Sequence, residues 1–435
     1  MINLGNEIAH ASQWNGPRLS GRVTHMIGLL ITSHGPDASL GELCTIYGKK
    51  GGKVTAQVVG FKEEKVLLMP LDEGVDISPG AEVFPSDSPL KIGVGEGLIG
   101  RVIDARGQAI DGKGEWFADH YISVSSKAPS PLERELIRTP LETGIKTIDA
   151  LCTIGQGQRM GIFSGSGVGK STLLGSIAKK GKADVNVIAL IGERGREVRE
   201  FIEHQLGSSG LRRSIVIVAT SDQPALLRSL GAEVATAIAE YFRDLGKNVL
   251  LFMDSISRFA HARREIGLAS FEPPTTRGYP PSVFSYLPRL LERAGNGKRG
   301  SITGFYTILA EADDMSDPIA DQMRSLLDGH LILSRKLAQS GQFPPIDPLQ
   351  SLSRVMHALV DKEQIDNANR LKHLLYTYHE AEDLLNIGAY VSGSNPYIDE
   401  ALAKIDPIRT FLLQDKDLFV SSKDSVNALK TLFDP

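Results

Sequence analysis

The sequence predicts a three-part chain: a small β-barrel, a central α/β domain with a mostly parallel sheet, and a C-terminal helical domain. Three observations predict it. Between Gly21 and Pro85 apolar residues recur with a period of two, as on half-buried strands. Around and after a glycine-rich stretch at 158–172, apolar runs of strand length alternate with stretches of helical spacing, the pattern of a parallel sheet covered by helices on both faces. Beyond Ser351 the spacing is helical. The 435 residues leave room for several domains at ~100–200 residues each. The expected divisions are a tail at 1–17, the barrel at 18–88, the α/β domain at 89–350 and the helical domain at 351–435.

Composition narrows the class. Apolar content of 41% and charged content of 23% describe a globular protein. A net charge of −4 gives no electrostatic case for nucleic acid or an anionic membrane. Cys44 and Cys152 are far apart and have no metal-ligand spacing, so a reducing compartment is expected. No stretch approaches the ~20 apolar residues of a membrane span. Met1 to His10 lack the basic start and apolar core of a signal peptide. The expected location is cytoplasmic.

In order along the chain, Ile2, Leu4 and Ile8 mark a weakly apolar tail, either loose or a small partner-binding helix. Residues 22–27, 29–32, 43–47, 54–59 and 65–69 read as short strands separated by turns such as Gly35-Pro-Asp37, which suggests a small closed barrel. Gly95 to Asp104 reads as a turn and strand, and Pro129-Ser-Pro131 as a linker. After the glycine-rich stretch, strands are expected at 185–191, 215–218, 249–253, 302–309 and 331–333. Helices are expected at 197–206 and along the Leu226 to Tyr241 face. At the end, Ile365 to Tyr378 mark one helical face, Gly388 and Gly393 break it, and Pro396 starts another helix.

The chemistry concentrates in Gln158 to Thr172, an apolar strand, a tight glycine loop and a helix start. Glycines let successive backbone N–H groups converge on an anion, and the helix dipole points at it. Gly165, Ser166, Gly167, Val168, Gly169, Lys170, Ser171 and Thr172 are therefore the expected phosphate cradle of a Walker A loop. Lys170 would reach the β- and γ-phosphates and the Ser171 hydroxyl would ligate Mg²⁺. The implied ligands are ATP and Mg²⁺. Ser164 stands where the motif asks for its first glycine, with Gly165 and Gly167 supplying flexibility nearby.

Five further residues are candidates. Asp254 ends the apolar run Val249–Met253, where a Walker B carboxylate holds Mg²⁺; it is also a reasonable acidic cap for a helix starting at Ser255-Ile256. Glu193 follows the strand ending at Ile191 and can activate the attacking water, with Arg194 beside it to meet the γ-phosphate or hold Glu193; Gly-Glu-Arg-Gly-Arg is equally readable as a solvated turn. Arg354 is a candidate arginine finger, though spacing does not select it from other arginines. Phe343 can stack on adenine through its π face or serve as a core residue. The proline-rich loop Glu272 to Pro281 is stiff, and either presents a contact surface or merely connects. Arg212-Arg213 and Arg263-Arg264 read as solvated faces or ion pairs, since no aromatic residues interleave them.

Set together, Gly165–Ser171, Gly192-Glu-Arg-Gly-Arg-Glu197, Leu250–Arg258, Gly278–Val283, Ala312-Asp-Asp314 and Asp347–Arg354 resemble the hexameric ATPases related to the catalytic subunit of rotary ATP synthases, from about Gly21 to Gln414. Within that group the chain looks most like the type III protein-export ATPases. Its stretch Glu380 to Asn395 is similar to the flagellar branch rather than the virulence-injectisome branch. The resemblance implies a RecA-like P-loop NTPase domain and ATP hydrolysis that energises protein export from a homohexameric ring. It implies that Glu193 is the general base, that Arg354 reaches into a neighbour's site and that Phe343 takes the adenine-stacking place often held by tyrosine. The loop 272–287 would face the ring axis and a central stalk protein, and the tail would bind a stator-like regulator. Export gate, cargo and chaperones complete the implied partners, with only peripheral contact to the inner membrane. A small residue such as Ser164 is usual in the export branch. Rival readings are an injectisome ATPase, the catalytic subunit of an ion-driven synthase, and a cargo-docking platform with vestigial hydrolysis, which an intact Glu193 argues against. An RNA-translocating hexamer is disfavoured by the net charge.

Overall fold

The computed structural model describes residues 19–48, 51–72, 76–309 and 317–433. The N-terminal tail and the Ala312-Asp-Asp314 motif lie outside the described residues. Six strands, β1 (Gly21–Ile27), β2 (Leu30–His34), β3 (Glu42–Tyr47), β4 (Lys53–Lys62), β5 (Lys65–Pro70) and β6 (Glu82–Pro89), close into a barrel in the order β1-β2-β5-β4-β3-β6. The period of two does the work: Val23, Ile31, Ile46, Val54, Val58 and Leu68 alternate inward and form the barrel core. Cys44 packs among them, and burial pushes its thiol up to about 12. Cys152 is also buried and unbridged, so neither thiol forms the thiolate that reactivity needs. The sixth strand corrects the five read from the sequence. Pro85 and Pro89 break its apolar alternation, and proline ordinarily argues against an interior strand; here β6 pairs with both β1 and β3.

Among the described residues the central sheet has nine strands. After the antiparallel pair β7 (Lys91–Val94) and β9 (His120–Ser123), its members are β8 (Val102–Asp104), β10 (Arg159–Ser164), β11 (Val185–Ile191), β12 (Ser214–Ala219), β13 (Asn248–Asp254), β14 (Gly295–Asn296), β15 (Ser301–Leu309), β16 (Gly329–Leu333) and β17 (Leu352–Ser353). The order is β17-β16-β10-β15-β13-β11-β12-β8, with β14 antiparallel against β15 and β17 antiparallel against β16; the other neighbours are parallel. Strands β11 and β12 are buried along their whole length, which is why they read as unbroken apolar runs rather than alternating ones. The strand expected before Asp104 is β8, at one edge of this sheet.

Helix α1 (Lys146–Leu151) precedes β10 and α2 (Lys170–Lys180) follows it. Next come α3 (Gly195–Glu200), a π-helical turn at Phe201–Leu206 and α4 (Gly207–Leu211). Helices α5 (Ala225–Asp244), α6 (Ile256–Ala269), α7 (Pro281–Leu291), α8 (Pro318–Leu326) and α9 (Arg335–Gln339) complete the nucleotide-domain helices. The C-terminal helices α10 (Lys362–Asn386), α11 (Pro396–Leu412) and α12 (Ser422–Thr431) each begin on a side-chain cap, Asp361, Asn395 and Ser421 respectively, which satisfies orphan N–H groups of the first turn. Gly388 and Gly393, with φ of 69° and 87°, end one helix and turn toward the next.

Helix α1 is shared between two cores. Its Ile148 packs with the phosphate-loop helix, while Ala150 and Leu151 pack with Leu371, Leu374 and Ile408 of the C-terminal helices. Gln364 Nε2 adds hydrogen bonds to the carbonyls of Asp149 and Ala150, each at 3.2 Å, and to Thr153 Oγ1 at 3.1 Å. Leu151 is 1% exposed, and a buried Leu→Ala change costs about 2–5 kcal/mol. Leu151→Ala is expected to lower hydrogen-exchange protection in α10–α12 by that order while leaving β1–β6 unchanged; equal loss in the barrel would show that the domains unfold as one unit.

Candidate functional site

The C-terminal ends of β10, β11, β13 and β15 lie side by side, where ligands of parallel sheets sit. Each delivers one part of a cavity of about 560 Å³. From β10 comes the phosphate loop. Gly169 has φ of +97° and caps α2 from the left-handed region, which glycine enters without a Cβ penalty. Gly165, Ser166, Gly167, Gly169, Lys170, Ser171 and Thr172 line the cavity. Val168 does not; it is 2% exposed and anchors the loop in the core beneath.

Lys170 bridges two carboxylates from neighbouring strands. Its Nζ lies 2.5 Å from Asp254 Oδ1 and 3.2 Å from Glu193 Oε1. The parallel register sets this meeting: Leu190 of β11 faces Asp254 of β13, and Glu193 follows three residues later. Asp254 Oδ1 also accepts from Thr307 Oγ1 of β15 at 2.9 Å. The helix cap that Asp254 might have formed is made by Ser255, whose side chain accepts from Arg258 N at 3.3 Å. Asp254 is thereby left for the cavity.

The three side chains are 3–13% exposed, so Glu193 is not on a solvated turn. Burial raises the Asp254 carboxyl, with Lys170 pulling it back. Burial also raises Glu193, and nearby Glu197 adds to that while Lys170 opposes it. Burial works against the Lys170 charge, but the attraction of Asp254 and Glu193 outweighs it and leaves the ammonium raised above its ordinary value.

Other cations surround this centre. Arg194 is exposed at the mouth, 3.8 Å from Glu197. Arg258 lines the wall, and its Nε is buried without a hydrogen-bond partner. Its chain lies where a Cβ on Gly192 would be, within 2.8 Å, so the wall requires glycine there. Arg335 lines the cavity and donates to the Ser166 carbonyl at 3.3 Å. Ser164 Oγ, at the loop's start, is also buried and unpartnered. Orphaned donors beside a glycine loop fit an anionic ligand. For a metal, the donors on offer are the Ser171 hydroxyl and the Asp254 carboxylate, hard oxygens of the kind Mg²⁺ takes together with phosphates and water. Among the described residues no group of three or more His, Cys, Asp or Glu is placed to hold a metal ion by itself.

Two expected residues stand apart. Phe343 is 52% exposed, not a core residue, and does not line the cavity. Its loop is nonetheless adjacent: Pro345 Cγ is 4.0 Å from where a Cβ on Gly169 would sit. Arg354 is exposed just past β17, its N–H on the Asp328 carbonyl at 3.0 Å and its Nη2 on the Arg324 carbonyl at 3.0 Å. Asp328 N in turn bonds Arg159 O at the start of β10. Arg354 therefore sits about 17 Å, one strand length, from its own phosphate loop.

Arg258, Arg335, Thr307 and Glu197 carry site positions that the sequence reading assigned no role. Arg258 had a usable signal, since it lies four residues after Asp254 and so in the first turn of α6. The loop before α7 is pinned as well as stiff. Thr275 Oγ1 donates to the Tyr279 carbonyl at 2.7 Å, Arg264 lies over the Tyr279 ring at 5.2 Å, and residues 273–277 are exposed.

Comparison with known proteins identifies the family. Residues 144–353 match the nucleotide-binding domain of the ATP synthase alpha/beta family, residues 23–86 that family's beta-barrel domain, and residues 360–431 the T3SS EscN ATPase C-terminal domain. The chain is 54% identical to the flagellum-specific ATP synthase of Bacillus subtilis, covering 95% of this chain and 94% of that one. It is 50% identical to the type 3 secretion system ATPase of Xanthomonas euvesicatoria, covering 96% and 95%. The assembled ATPase EscN of the enteropathogenic E. coli type III secretion system superposes with a TM-score of 0.90 at 43% identity, over 95% of this chain and 99% of that one. The same ATPase in complex with its central stalk EscO gives 0.87 at 42%, with the same coverage. The chain belongs to the ATP synthase alpha/beta family and, within it, to the ATPases of type III protein export.

Proposed function

We propose that the chain is the Mg²⁺-dependent ATPase of a flagellar-type export apparatus and acts as a homohexameric ring. One observation carries this reading. Lys170, Glu193 and Asp254 converge within a chain, whereas Arg354 is exposed and a strand length away from them. A ring supplies each site with Arg354 from the next copy. Identity to a flagellum-specific relative, together with the stretch 380–395, supports the flagellar branch.

In this reading the phosphates of ATP lie over Gly165–Thr172, and Lys170 leaves its carboxylates for the β- and γ-phosphates. Glu193, released, takes the proton of an in-line water; a carboxyl raised by burial suits that task. Arg194, Arg258 and the neighbour's Arg354 face the charge that spreads over the transferring phosphoryl oxygens. Ser171 and Asp254 would hold Mg²⁺, which when bound offsets phosphate charge and polarises the transferring group. Phe343 stacks on the adenine from the rim. The segment 272–287, a pinned loop running into the first turns of α7, faces a central stalk, as EscN has EscO. The tail at 1–17 binds a stator-like regulator, and cargo, chaperones and the export gate meet the ring. No described helix is long and apolar enough to cross a membrane, and the proposed association with the inner membrane is peripheral.

Glu193→Gln is expected to lower kcat by ~10²–10⁴ with ATP binding retained, and the wild-type kcat/KM is expected to fall on the acid side at a pH above the ordinary glutamate value of about 4.3. Full turnover in the variant would remove Glu193 as base. Arg354→Ala subunits mixed with wild type are expected to poison activity more than in proportion to their share; a strictly proportional loss in a titration of mixed rings would contradict a shared site. Deleting the gene is expected to abolish flagellar filaments. Intact filaments with loss of another type III secretion would favour the injectisome reading.

A further inference from the structure

The stretch from Leu413 to Val420 joins α11 to α12 without regular structure. Its carbonyls are paired across to the phosphate-loop helix α2. Lys180 Nζ donates to the carbonyls of Lys416 and Leu418 at 2.6 and 2.7 Å, and Ser176 Oγ to that of Lys416 at 3.2 Å. Gln414 is the centre of this strap and is only 9% exposed. Its Oε1 accepts from Lys146 N at 2.7 Å, and its Nε2 donates to the Gly144 and Leu418 carbonyls, both at 2.8 Å. Its own backbone N–H donates to the Phe343 carbonyl at 2.9 Å.

Neighbouring residues anchor the loop on either side: Gln342 N–H donates to the Leu337 carbonyl at 3.0 Å, and bonds from Ser334 N–H to the Pro345 carbonyl and from Asp347 N–H to the Ile332 carbonyl, both at 2.9 Å, flank a bridge between Leu333 and Ile346. The Gln414 bond acts at Phe343 itself, on its carbonyl. The amide of Gln414 is matched to its surroundings at every atom, one acceptor facing an N–H and one donor group facing two carbonyls. A glutamate would set a negative charge against two carbonyl oxygens. A methionine would leave buried polar partners unpaired.

We propose that Gln414 is a positioning residue for the nucleotide base: it holds the backbone of Phe343 so that the ring is placed for adenine. The inference rests on the base-stacking role of Phe343 proposed above. Gln414 does not line the cavity that holds Lys170, Glu193 and Asp254, so its removal weakens ground-state and transition-state binding alike and moves KM rather than kcat.

The test uses the full chain and its Gln414→Met, Gln414→Glu, Phe343→Ala and Gln414→Met/Phe343→Ala variants. Affinities for ADP and for inorganic pyrophosphate are measured by calorimetry, and KM and kcat for ATP by turnover. Gln414→Met and Gln414→Glu are expected to weaken ADP binding and raise KM about tenfold, the scale of one aromatic contact, with kcat and pyrophosphate affinity nearly unchanged. In the Phe343→Ala background, Gln414→Met is expected to add no further loss. Equal falls in ADP and pyrophosphate affinity, or additive losses in the double variant, overturn the proposal by showing a purely structural role. Unchanged ADP affinity in Phe343→Ala overturns it by removing the stacking role itself; loss in Phe343→Ala but not in the Gln414 variants overturns the positioning step alone. If Gln414→Met does not fold by circular dichroism, Lys180→Met releases the same strap from the surface. The same base-dependent weakening is expected there, and unchanged ADP affinity would count against the proposal.

Discussion

One buried ammonium between two buried carboxylates organises the active end of this ATPase. Lys170, Glu193 and Asp254 come from the ends of β10, β11 and β13. None of the three is well solvated, and an unpaired charge in such a place is strongly unfavourable. The sheet order has to bring those strand ends together, and the parallel register has to stop them level. Much of the rest follows from that demand. Thr307 on β15 completes the hydrogen bonding of Asp254, Ser255 relieves Asp254 of capping duty, and Gly192 makes room for Arg258.

In the proposed mechanism the same triangle restrains the chemistry before substrate arrives. Lys170 pairs with Glu193, and a paired carboxylate is a poor acceptor for a water proton. On that proposal, phosphates would draw the lysine away and free the base only when there is something to hydrolyse. The distant Arg354 adds a second condition in the proposed ring, because a subunit brings its own cradle and base but leaves the finger to its neighbour.

The fold was legible where backbone chemistry has a periodic signature. The barrel strands announce themselves through Val54-Thr-Ala-Gln-Val-Val59, and the central strands through runs such as Val185–Ile191. Strand β6 escaped because its prolines suppress the alternation. At the site, the placing of Gly165–Gly167, Gly169–Thr172 and Asp254 on one cavity was readable, since a loop or a strand end fixes what those residues face, while Val168 turned into the core. Glu193, Arg354 and Phe343 could not be chosen on spacing alone, because each depends on which elements fold back beside it. Gln414 was invisible for the same reason. Its partners Gly144, Lys146 and Phe343 lie about 70 to 270 residues away in sequence, and only the docking of α10–α12 on α1 brings them together.

The sixth barrel strand has a consequence beyond its own packing. An open sheet leaves rows of free N–H and C=O groups at its margins, and these recruit strands from other chains. By pairing with both β1 and β3, β6 leaves the barrel no such margin. In the ring proposed for this chain, whose relative EscN was solved as an assembled ATPase, copies would lie close together at high local concentration. A closed barrel can be crowded against its own kind without risk of runaway strand exchange, and leaves any contact between neighbours to side chains, which substitution can adjust one position at a time.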